Sequence, residues 1–333
     1  MNVSIRSALQ IAAVSLGFGV AGLVTGYAIA SLIVGIIGFT YVSVRASAPT
    51  TRHVKRIIDF AKFSWLGNLK KQSFSWVDVT VLGFFVVEAL IGIYSIAWSI
   101  AAVLTLFSKG LSKTFFPMMS EIAEESRARV AEMLTESLRY NGLIFIPGLV
   151  GATIVGERIL FLYGEEFIVG TTILVVLIAA RMVYSYQTQF VNTINGIDRP
   201  DVAFRINAVF IGTNVILNVV LIWQYGWLGA AAATLLASTV SLFHAYGAAM
   251  QFFEFSIPLG EIGYQAAAAF VMGVFVYGII EVGPTPQDTI ISHGFTVSVV
   301  ALGASVYFLT LLAISSTFRG TVRRNLPVDV PLL

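Results

Sequence analysis

"FGVAGLVTGYAIAS", residues 18–31, has a counterpart later in the chain in "YGWLGAAAATLLAS", residues 225–238. Aligned without gaps, both stretches begin with aromatic-Gly-x-x-Gly and end with Ala-Ser. Small residues at short spacing predict close helix packing in a membrane. Four identities in fourteen positions can arise by chance, so the match raises the question of an internal repeat; the pairs are Gly19 with Gly226, Gly22 with Gly229, Ala30 with Ala237 and Ser31 with Ser238.

The composition predicts a polytopic membrane protein. Of the 333 residues, 57% are hydrophobic and 11% are charged, whereas soluble domains carry about 25% charged residues. Long stretches without Asp, Glu, Lys or Arg include 7–44, 206–253, 262–280 and 289–318. The first two are each long enough for two membrane-crossing helices of about 20 residues, and the last two for one each. The absence of cysteine excludes disulfides and thiol chemistry.

Hydropathy predicts an all-α bundle of about ten transmembrane helices. Lys and Arg concentrate in the loops on the N-terminal side, and the opposite loops carry one base, Arg158. The positive-inside rule therefore puts both termini in the cytoplasm and the chain in the cell membrane. The crossings are predicted near 7–24, 26–44, 64–87, 90–112, 139–156, 168–191, 203–223, 227–250, 261–281 and 289–315.

A charged connector, "SEIAEESRARVAEMLTESLRYN" at 120–141, follows the fourth predicted helix. Its pattern is amphipathic, and we expect a helix that lies on the cytoplasmic membrane surface. No soluble catalytic domain fits, because no polar segment is much longer than this one. The apolar face comprises Ile122, Val130, Met133, Leu134 and Leu138.

The third predicted helix carries a polar stripe at helical spacing. A charge at bilayer depth costs roughly 2.5 to 3.5 kcal/mol, so Lys71 and Asp78 should face protein or water. They form either an internal ion pair or part of a transport pathway, and the sequence leaves both open. Lys70 points away from the stripe and is expected to extend to the cytoplasmic interface. The stripe consists of Ser64, Asn68, Lys71, Ser75 and Asp78.

The sixth predicted helix places Arg181, Ser185, Thr188 and Asn192 on one face, with Arg181 near mid-membrane. A guanidinium in a polar groove suits a phosphate or carboxylate partner, so we favour a binding role for Arg181 over a buried ion pair. Two further helices carry uncharged polar stripes, which interhelical hydrogen bonding explains. These stripes are Asn207, Asn214 and Asn218 on the seventh helix, and Tyr94, Trp98, Thr105, Ser108 and Ser112 on the fourth.

No catalytic constellation is present in the sequence. Its three histidines, His53, His244 and His293, fall in a loop, a helix and another loop, so neither a metal site nor a His-based triad is predicted. No G-x-x-x-x-G-K-[ST] motif is present, which argues against ATP hydrolysis. We therefore predict a protein that is not an enzyme, uses no cofactor or metal, and binds no nucleic acid.

Several motifs follow one another in a characteristic order and spacing: "FAKFSWLGNLKKQSFSWVDVTVLGFF" at 60–85, "IGIYSIA" at 91–97, Pro117 before the acidic connector, "LYGEEFIVG" at 162–170, "NTINGIDRPDVAFRIN" at 192–207 and "YGWLGAAAAT" at 225–234. Each is weak alone, but together they are specific. In these motifs, residues 60–250 resemble the C-terminal six-helix lobe of the polysaccharide and oligosaccharide-lipid flippases. That family belongs to the multidrug, oligosaccharidyl-lipid and polysaccharide exporter superfamily.

Members of the superfamily consist of two six-helix lobes related by a pseudo-twofold axis, which would give the last hairpin of each lobe the same packing pattern. The resemblance implies an incomplete two-lobed exporter fold that lacks the first four helices. We expect an N-terminally truncated product rather than a chain completed by a partner chain. The implied domains are 1–45 as the last helix pair of the N-terminal lobe, 46–63 as a cytoplasmic linker, 64–250 as the C-terminal lobe and 251–333 as two additional helices with a cytoplasmic tail.

The resemblance implies a flippase that moves lipid-linked glycan units across the cytoplasmic membrane by alternating access. Its partners would be a glycan on polyprenyl phosphate or diphosphate, the lipid bilayer and a coupling ion. Two alternatives remain: a cation-coupled multidrug antiporter with Asp78 as the coupling carboxylate, and a membrane glycan polymerase or ligase. The candidate substrate-binding residues are Asn68, Lys71, Ser75, Asp78, Arg181, Ser185 and Asn214.

Overall fold

The computed structural model describes residues 2–40, 50, 51, 54, 58, 69, 70, 73, 74, 77–286 and 290–325. These residues are almost entirely helical and contain no strand, which confirms the predicted all-α class. The chain divides into two compact units, Met1–Ile58 and Asp59–Leu333. The helices are α1 (Asn2–Ser15), α2 (Gly19–Thr40), α3 (Glu88–Val103), α4 (Thr105–Ile122), α5 (Arg127–Phe161), α6 (Thr171–Gly196), α7 (Pro200–Ala249), α8 (Leu259–Val282), α9 (Ile290–Ile314) and α10 (Ser316–Asn325).

Two shorter helical pieces complete the described part of the second unit. Residues 77–85 are helical and precede α3. A 3₁₀ helix, Glu165–Gly170, leads directly into α6.

Six of the described helices are long and apolar enough to cross a membrane, or up to seven if α3 and α4, which meet at a bend of 43°, form one span. The protein is therefore a multi-pass membrane protein, as predicted. The predicted count of ten is not established, because six or seven described helices are long enough to cross a membrane and part of the predicted crossing at 64–87 lies outside the described residues.

The first predicted crossing, 7–24, is wrong in its bounds. The chain turns between α1 and α2, inside that range, and α1 has only 14 residues. Gly17 at φ 88° and Gly19 at φ 50° adopt the left-handed conformation that this turn requires. A hydropathy window cannot detect such a turn, because the residues on both sides of it are apolar.

Both copies of the repeat have a glycine with positive φ, followed three residues later by a closely packed glycine. Gly226, with φ 58°, interrupts α7, just as Gly19 with φ 50° begins α2. Three residues later, a Cβ on Gly22 would lie 2.9 Å from the Phe18 Cβ, and one on Gly229 would lie 2.0 Å from the Leu221 carbonyl oxygen. One glycine of each copy therefore permits the turn, which was not predicted, and the next permits close packing, as the sequence predicted.

The connector at 120–141 is not a separate surface helix, which corrects the prediction. Its second part belongs to α5, which continues without interruption to Phe161 and is about 52 Å long at 1.5 Å per residue. Val130, Leu134 and Leu138 are fully or almost fully buried, in a cluster with side chains of α4, α6 and α7. The amphipathic face was predicted correctly, but its partner is the protein and not the membrane.

Helix α6 lies at the centre of the second unit and contacts α3, α4, α5 and α7. Leu174, Leu177 and Ile178 of α6 pack with α3 and with the part of α7 that follows Gly226. That part of α7 is rich in buried alanine, at Ala230 and Ala231. Small side chains let helices approach closely in a bilayer, where packing drives association. The polar residues of α6 are therefore surrounded by helices on several sides.

The two glycines of the second copy, Gly226 and Gly229, yield a stability prediction. Gly229→Ala places a Cβ 2.0 Å from the Leu221 carbonyl oxygen, and overpacking of this kind costs about 1–3 kcal/mol. Gly226→Ala forces alanine into the left-handed region, which costs roughly 1–2 kcal/mol. We expect both variants to show a lower melting temperature in detergent and a lower folded yield.

Gly247→Ala is the matched control, because Gly247 lies on the same helix and an added Cβ there meets no atom within 4 Å. This variant should melt like the wild type. Equal melting temperatures for Gly229→Ala and Gly247→Ala would contradict the proposed role of the repeat.

Candidate functional site

A cavity of about 520 Å³ lies between α4 and α6 and is called here the cationic cavity. Of its described lining residues, four are basic and none is acidic, while most of the others carry hydroxyl or amide groups. The cavity therefore presents positive charge together with hydrogen-bonding groups. Its lining consists of Lys70, Phe74, Thr105, Ser108, Lys109, Ser112, Lys113, Arg181, Tyr184, Ser185, Thr188, Val191, Asn192, Asn195 and Asn207.

Helical periodicity explains the two main walls of the cationic cavity. Residues three and four apart share one face of a helix. On α6 this spacing brings the predicted stripe from Arg181 to Asn192 into the cavity, so its members do line a common surface. On α4 the same spacing presents Thr105, Ser108 and Ser112, and it adds two lysines that the sequence analysis did not select, Lys109 and Lys113. The two lysines are four residues apart and each directly follows one of the predicted serines, Ser108 and Ser112. This spacing was the sequence signal that could have placed them in the site.

Arg181 is buried, with 6% of its surface exposed. Its guanidinium lies 3.9 Å from the centroid of the Trp98 ring, and its Nη2 donates a 3.3 Å hydrogen bond to the Trp98 carbonyl oxygen. Its buried Nε has no hydrogen-bond partner among the described residues. A guanidinium has five N–H donors, so Arg181 retains the capacity to bind an anion.

Lys70 is buried at 5% exposure, so the prediction that it extends to the cytoplasmic interface is wrong. Its Nζ donates a 2.7 Å hydrogen bond to Gln187 Oε1 and lies 4.7 Å from the centroid of the Tyr184 ring. An amide oxygen and an aromatic face both stabilise an ammonium group. Since both partners lie on α6, more than 110 positions away, local sequence could not identify them.

Asp78 is buried at 2% exposure and lies outside the lining of the cationic cavity. Its carboxylate accepts a hydrogen bond from the Tyr94 hydroxyl and another from Thr234, whose Oγ1 is 2.9 and 2.8 Å from the two carboxylate oxygens. No salt bridge is present between Asp78 and any described cation. Its hydrogen-bonding partners among the described residues are therefore neutral.

Asn214 belongs to the surroundings of Asp78. Its Oδ1 accepts a 3.2 Å hydrogen bond from Ser73, and its Nδ2 lies 3.5 Å from Thr234 Oγ1. The candidate residues thus divide between two places: Arg181 and Ser185 line the cationic cavity, whereas Asp78 and Asn214 belong to a buried hydrogen-bond network. The candidates Asn68, Lys71 and Ser75 lie outside the described residues.

Ser185 takes part in a second network that joins α4, α5 and α6. Asn141 Oδ1 accepts hydrogen bonds from Ser185 at 2.6 Å and from Ser108 at 2.8 Å, and the two serine hydroxyls also contact each other. Gln189 Nε2 lies 3.4 Å from the hydroxyls of Ser108 and Ser112. The predicted interhelical hydrogen bonding of Ser108 is therefore present. Asn141 was not predicted as a site residue, because it is the last residue of the connector at 120–141 and belongs to none of the predicted polar stripes.

A second cavity, of about 270 Å³, is almost wholly apolar and is lined mainly by α5, α8 and α9, with Pro147, Val276, Val299 and Phe308 among its residues. In the described part of the chain, no group of three or more His, Asp or Glu side chains forms a metal site. The described second unit thus combines one cationic cavity, one apolar cavity and one buried carboxylate.

Fold and cavity define a multi-pass helical membrane protein with a cationic internal site. Residues 1–170 match the family described as "Polysaccharide biosynthesis protein", and the chain belongs to that family. It is 37% identical over 326 residues to the "Probable flippase AglR" of Haloferax volcanii, covering 97% of this chain and 67% of the relative. It is 25% identical over 256 residues to the "Probable low-salt glycan biosynthesis flippase Agl15" of the same organism, covering 74% and 54%.

A solved structure supports the fold. The chain matches "Lipid II flippase MurJ, inward closed conformation" with a TM-score of 0.79 and 16% identity, over 97% of this chain and 68% of that one. The resemblance to polysaccharide and lipid-linked oligosaccharide flippases is therefore confirmed at the level of family and fold. The chain spans only about half to two thirds of the length of these curated relatives.

The network around Asp78 yields a second stability prediction. Thr234→Val removes the hydroxyl that donates to the buried carboxylate, and losing a hydrogen bond to a charged group costs about 1.5–3 kcal/mol. We expect a lower melting temperature in detergent. Thr239→Val is the control, since the Thr239 hydroxyl only donates to the Leu235 carbonyl oxygen of its own helix. If the two variants lost the same stability, Thr234 would not support Asp78.

Proposed function

We propose that this protein is a flippase that moves a lipid-linked glycan across the cell membrane, with the phosphate of the substrate held in the cationic cavity. The observation that carries the proposal is the charge of this cavity, whose described lining residues include four basic residues and no acid. The chain also belongs to a family with flippase relatives, which supports the same conclusion.

Physical chemistry explains why a cavity of this kind is needed. The polyprenyl tail of the substrate can remain in the bilayer, but an unpaired phosphate in hydrocarbon costs tens of kcal/mol in the Born limit. Arg181 offers a planar fork of donors that can bind phosphate through two hydrogen bonds. Hydroxyl and amide groups such as Ser185 and Asn192 can exchange hydrogen bonds with sugar hydroxyls. The head group thus crosses inside protein while its tail stays in an apolar medium.

The apolar cavity among α5, α8 and α9 supports the proposal independently. It lies within the same compact unit as the cationic cavity and is lined by aliphatic and aromatic side chains. Such a surface provides a place for part of an isoprenoid tail close to the helices that hold the phosphate, because apolar pockets bind apolar groups.

Alternating access requires two lobes that move around a central site. We propose residues 64–250 as the C-terminal lobe, 251–333 as two additional helices and 1–45 as the last helix pair of the other lobe, joined by the linker 46–63. Both termini would lie in the cytoplasm. The remaining helices of the first lobe would come from further sequence or from a partner chain.

Arg181→Lys tests the phosphate role directly. The variant keeps the charge but loses the planar fork, so we expect about a tenfold fall in transport, the effect of losing one hydrogen bond to a charged group. The measurement combines surface glycan in cells that lack their own flippase with the abundance of the protein in the membrane. Abundance should stay normal.

Arg205→Lys is the control for Arg181→Lys, because Arg205 is exposed and does not line the cationic cavity. It should leave surface glycan unchanged. Normal glycan from an abundant Arg181→Ala variant would refute the phosphate role. Loss of both glycan and protein in that variant would show instead that Arg181 is structural.

The buried carboxylate favours a cation-coupled mechanism, either within the flippase or in the alternative antiporter of the same superfamily. Among the described residues, Asp78 accepts hydrogen bonds from two neutral hydroxyl groups and forms no salt bridge. A buried carboxylate whose described hydrogen-bond partners are all neutral favours uptake of a proton or a small cation. We propose Asp78 as the coupling residue.

Asp78→Asn keeps the size of the side chain and an oxygen that can accept from Thr234, but removes the charge. We expect it to abolish the response of transport to an imposed sodium or proton gradient, measured in vesicles, while downhill movement persists. Glu157→Gln, an exposed carboxylate on α5, should preserve the response. An unchanged response in Asp78→Asn would refute coupling through this residue, and Asp78-dependent efflux of cationic dyes would favour the antiporter.

The enzymatic alternative, a glycan polymerase or ligase, has no supporting observation among the described residues. The curated relatives of this chain are named as flippases. We propose that this chain likewise performs no covalent chemistry. Formation of polymer by purified vesicles supplied with lipid-linked units would overturn that proposal.

A further inference from the structure

Helix α10 lies where three long apolar helices, α5, α8 and α9, end or leave the membrane. The Ser315 hydroxyl, directly after α9, donates a 2.8 Å hydrogen bond to Glu261 in the first turn of α8. The Tyr140 hydroxyl of α5 lies 3.2 Å from the Thr321 hydroxyl of α10. Since α9 has 25 residues, it is about 38 Å long and can cross the hydrocarbon core. Helix α10 therefore begins at the boundary of the apolar spans.

The side chains on both sides of this boundary fit a membrane surface. Tyr264 of α8 and Ile314 of α9 are exposed on the apolar side. On the other side the chain carries three arginines within six positions, Arg319, Arg323 and Arg324. An exposed aromatic ring followed by basic residues is typical of the boundary between hydrocarbon and water. We therefore place α10 at the level of the lipid head groups.

Helix α10 is held against the protein by one face. Ser315 interrupts the helix, and its hydroxyl accepts a 2.9 Å hydrogen bond from the Phe318 backbone N–H. On one continuous helix, Phe308 and Phe318 would differ in height by about 15 Å, but their ring centroids lie 6.3 Å apart. The chain therefore turns at Ser315, and α10 packs against the end of the helices instead of extending away from them.

The three arginines of α10 are used differently. Arg319 is partly buried, and it donates hydrogen bonds to the carbonyl oxygens of Leu312 at 3.0 Å and of Ala313 at 2.8 Å. These carbonyls belong to the last turn of α9, so Arg319 caps that helix. Arg323 and Arg324 are exposed, and neither forms a salt bridge with an acidic side chain in the described part of the chain.

The two exposed arginines lie on the face of α10 that is turned away from the protein. At 3.6 residues per turn, Arg323 and Arg324 lie about 140° and 120° from Phe318, on either side of the opposite face. Ser316 and Gly320, which share that face, are also exposed. A guanidinium presents a planar fork that can bind a phosphate through two hydrogen bonds. The outer face of α10 thus presents two such forks to the head-group layer.

We propose that Arg323 and Arg324 form a binding surface for the phosphate groups of anionic membrane lipids, which α10 enriches beside α8 and α9. The inference goes beyond the proposed transport function, because a lipid bound here is a neighbour of the protein and not its cargo. A free phosphate ion would meet the same donors, but a lipid is also concentrated at this level by the bilayer itself. Anionic lipids attract arginine near the membrane surface over about a Debye length.

A single labelled position tests the surface. The chain contains no cysteine, and a Cβ added at Gly320 meets no atom within 4 Å, so Gly320→Cys accepts one fluorophore between the two arginines. The full chain is placed in phosphatidylcholine nanodiscs at about 0.1 M salt with a trace of spin-labelled phosphatidylglycerol or spin-labelled phosphatidylcholine, and quenching reports the local lipid. We expect phosphatidylglycerol to be enriched about tenfold over phosphatidylcholine, as two arginines at the surface can provide.

In the same background, Arg323→Gln with Arg324→Gln should abolish the enrichment. Arg127→Gln with Arg129→Gln is the matched control, because it removes the same charge from exposed positions of α5. These positions lie about 16 to 20 Å from Tyr140 along the helix, beyond the Debye length of about 10 Å. The control should keep the enrichment, and about 1 M salt, with a Debye length near 3 Å, should remove it from every variant.

Equal quenching by the two lipids in the parent, or enrichment that survives in Arg323→Gln with Arg324→Gln, would overturn the proposal. Loss of enrichment in the α5 control would also overturn it, since net charge alone would then explain the effect. The arginines could instead only stabilise the end of α10, as basic residues in a last turn do. In that case the glutamine variant would melt at a lower temperature in pure phosphatidylcholine and keep the enrichment. Displacement of the labelled lipid by soluble glycerol phosphate would show a site for free phosphates and refute a lipid surface.

Discussion

The low polarity of the bilayer is the constraint on which this structure depends, because a charged side chain inside it must find partners within the protein. Three buried charged side chains among the described residues are each stabilised by a different kind of contact. Arg181 stacks on the Trp98 ring, Lys70 donates to Gln187, and Asp78 accepts from neutral hydroxyl groups. None of the three forms a salt bridge within the described residues. Within the described residues, these charges are therefore stabilised by hydrogen bonds and an aromatic ring and not by ion pairs.

The glycine repeat connects this electrostatic arrangement to the fold. Gly226 reverses the direction of α7, and Gly229 lets the returning half pack against the Leu221 carbonyl. Five residues after Gly229, the same helix half carries Thr234, which reaches Asp78. A backbone feature that looks purely structural thus positions a hydroxyl group at the buried carboxylate. The N-terminal copy builds the same kind of turn at Gly19 and Gly22 within its own compact unit.

Among the described residues, the buried acid Asp78 and the basic residues of the cationic cavity lie in different places. Asp78 lies in a buried network with Asn214, while the basic residues line the cationic cavity, so the cavity keeps its positive charge. This separation suits a carrier of anionic head groups, because an acid in the cavity lining would compete with the substrate for Arg181. It is also compatible with the proposed coupling role of Asp78, because that carboxylate does not line the cavity.

The sequence by itself determined the properties that depend on composition and on helical period: the all-α membrane class, the polar face of α6 and the close packing at the repeated glycines. Only the tertiary structure decided which side chains meet. Lys70 was expected at the cytoplasmic membrane interface but instead donates a hydrogen bond to Gln187, 117 positions away. The apolar face at 120–141 was predicted, but its burial among α4, α6 and α7 was not. Periodicity fixes the face of a helix that a residue occupies, whereas its partner depends on how distant helices pack, which local sequence does not encode.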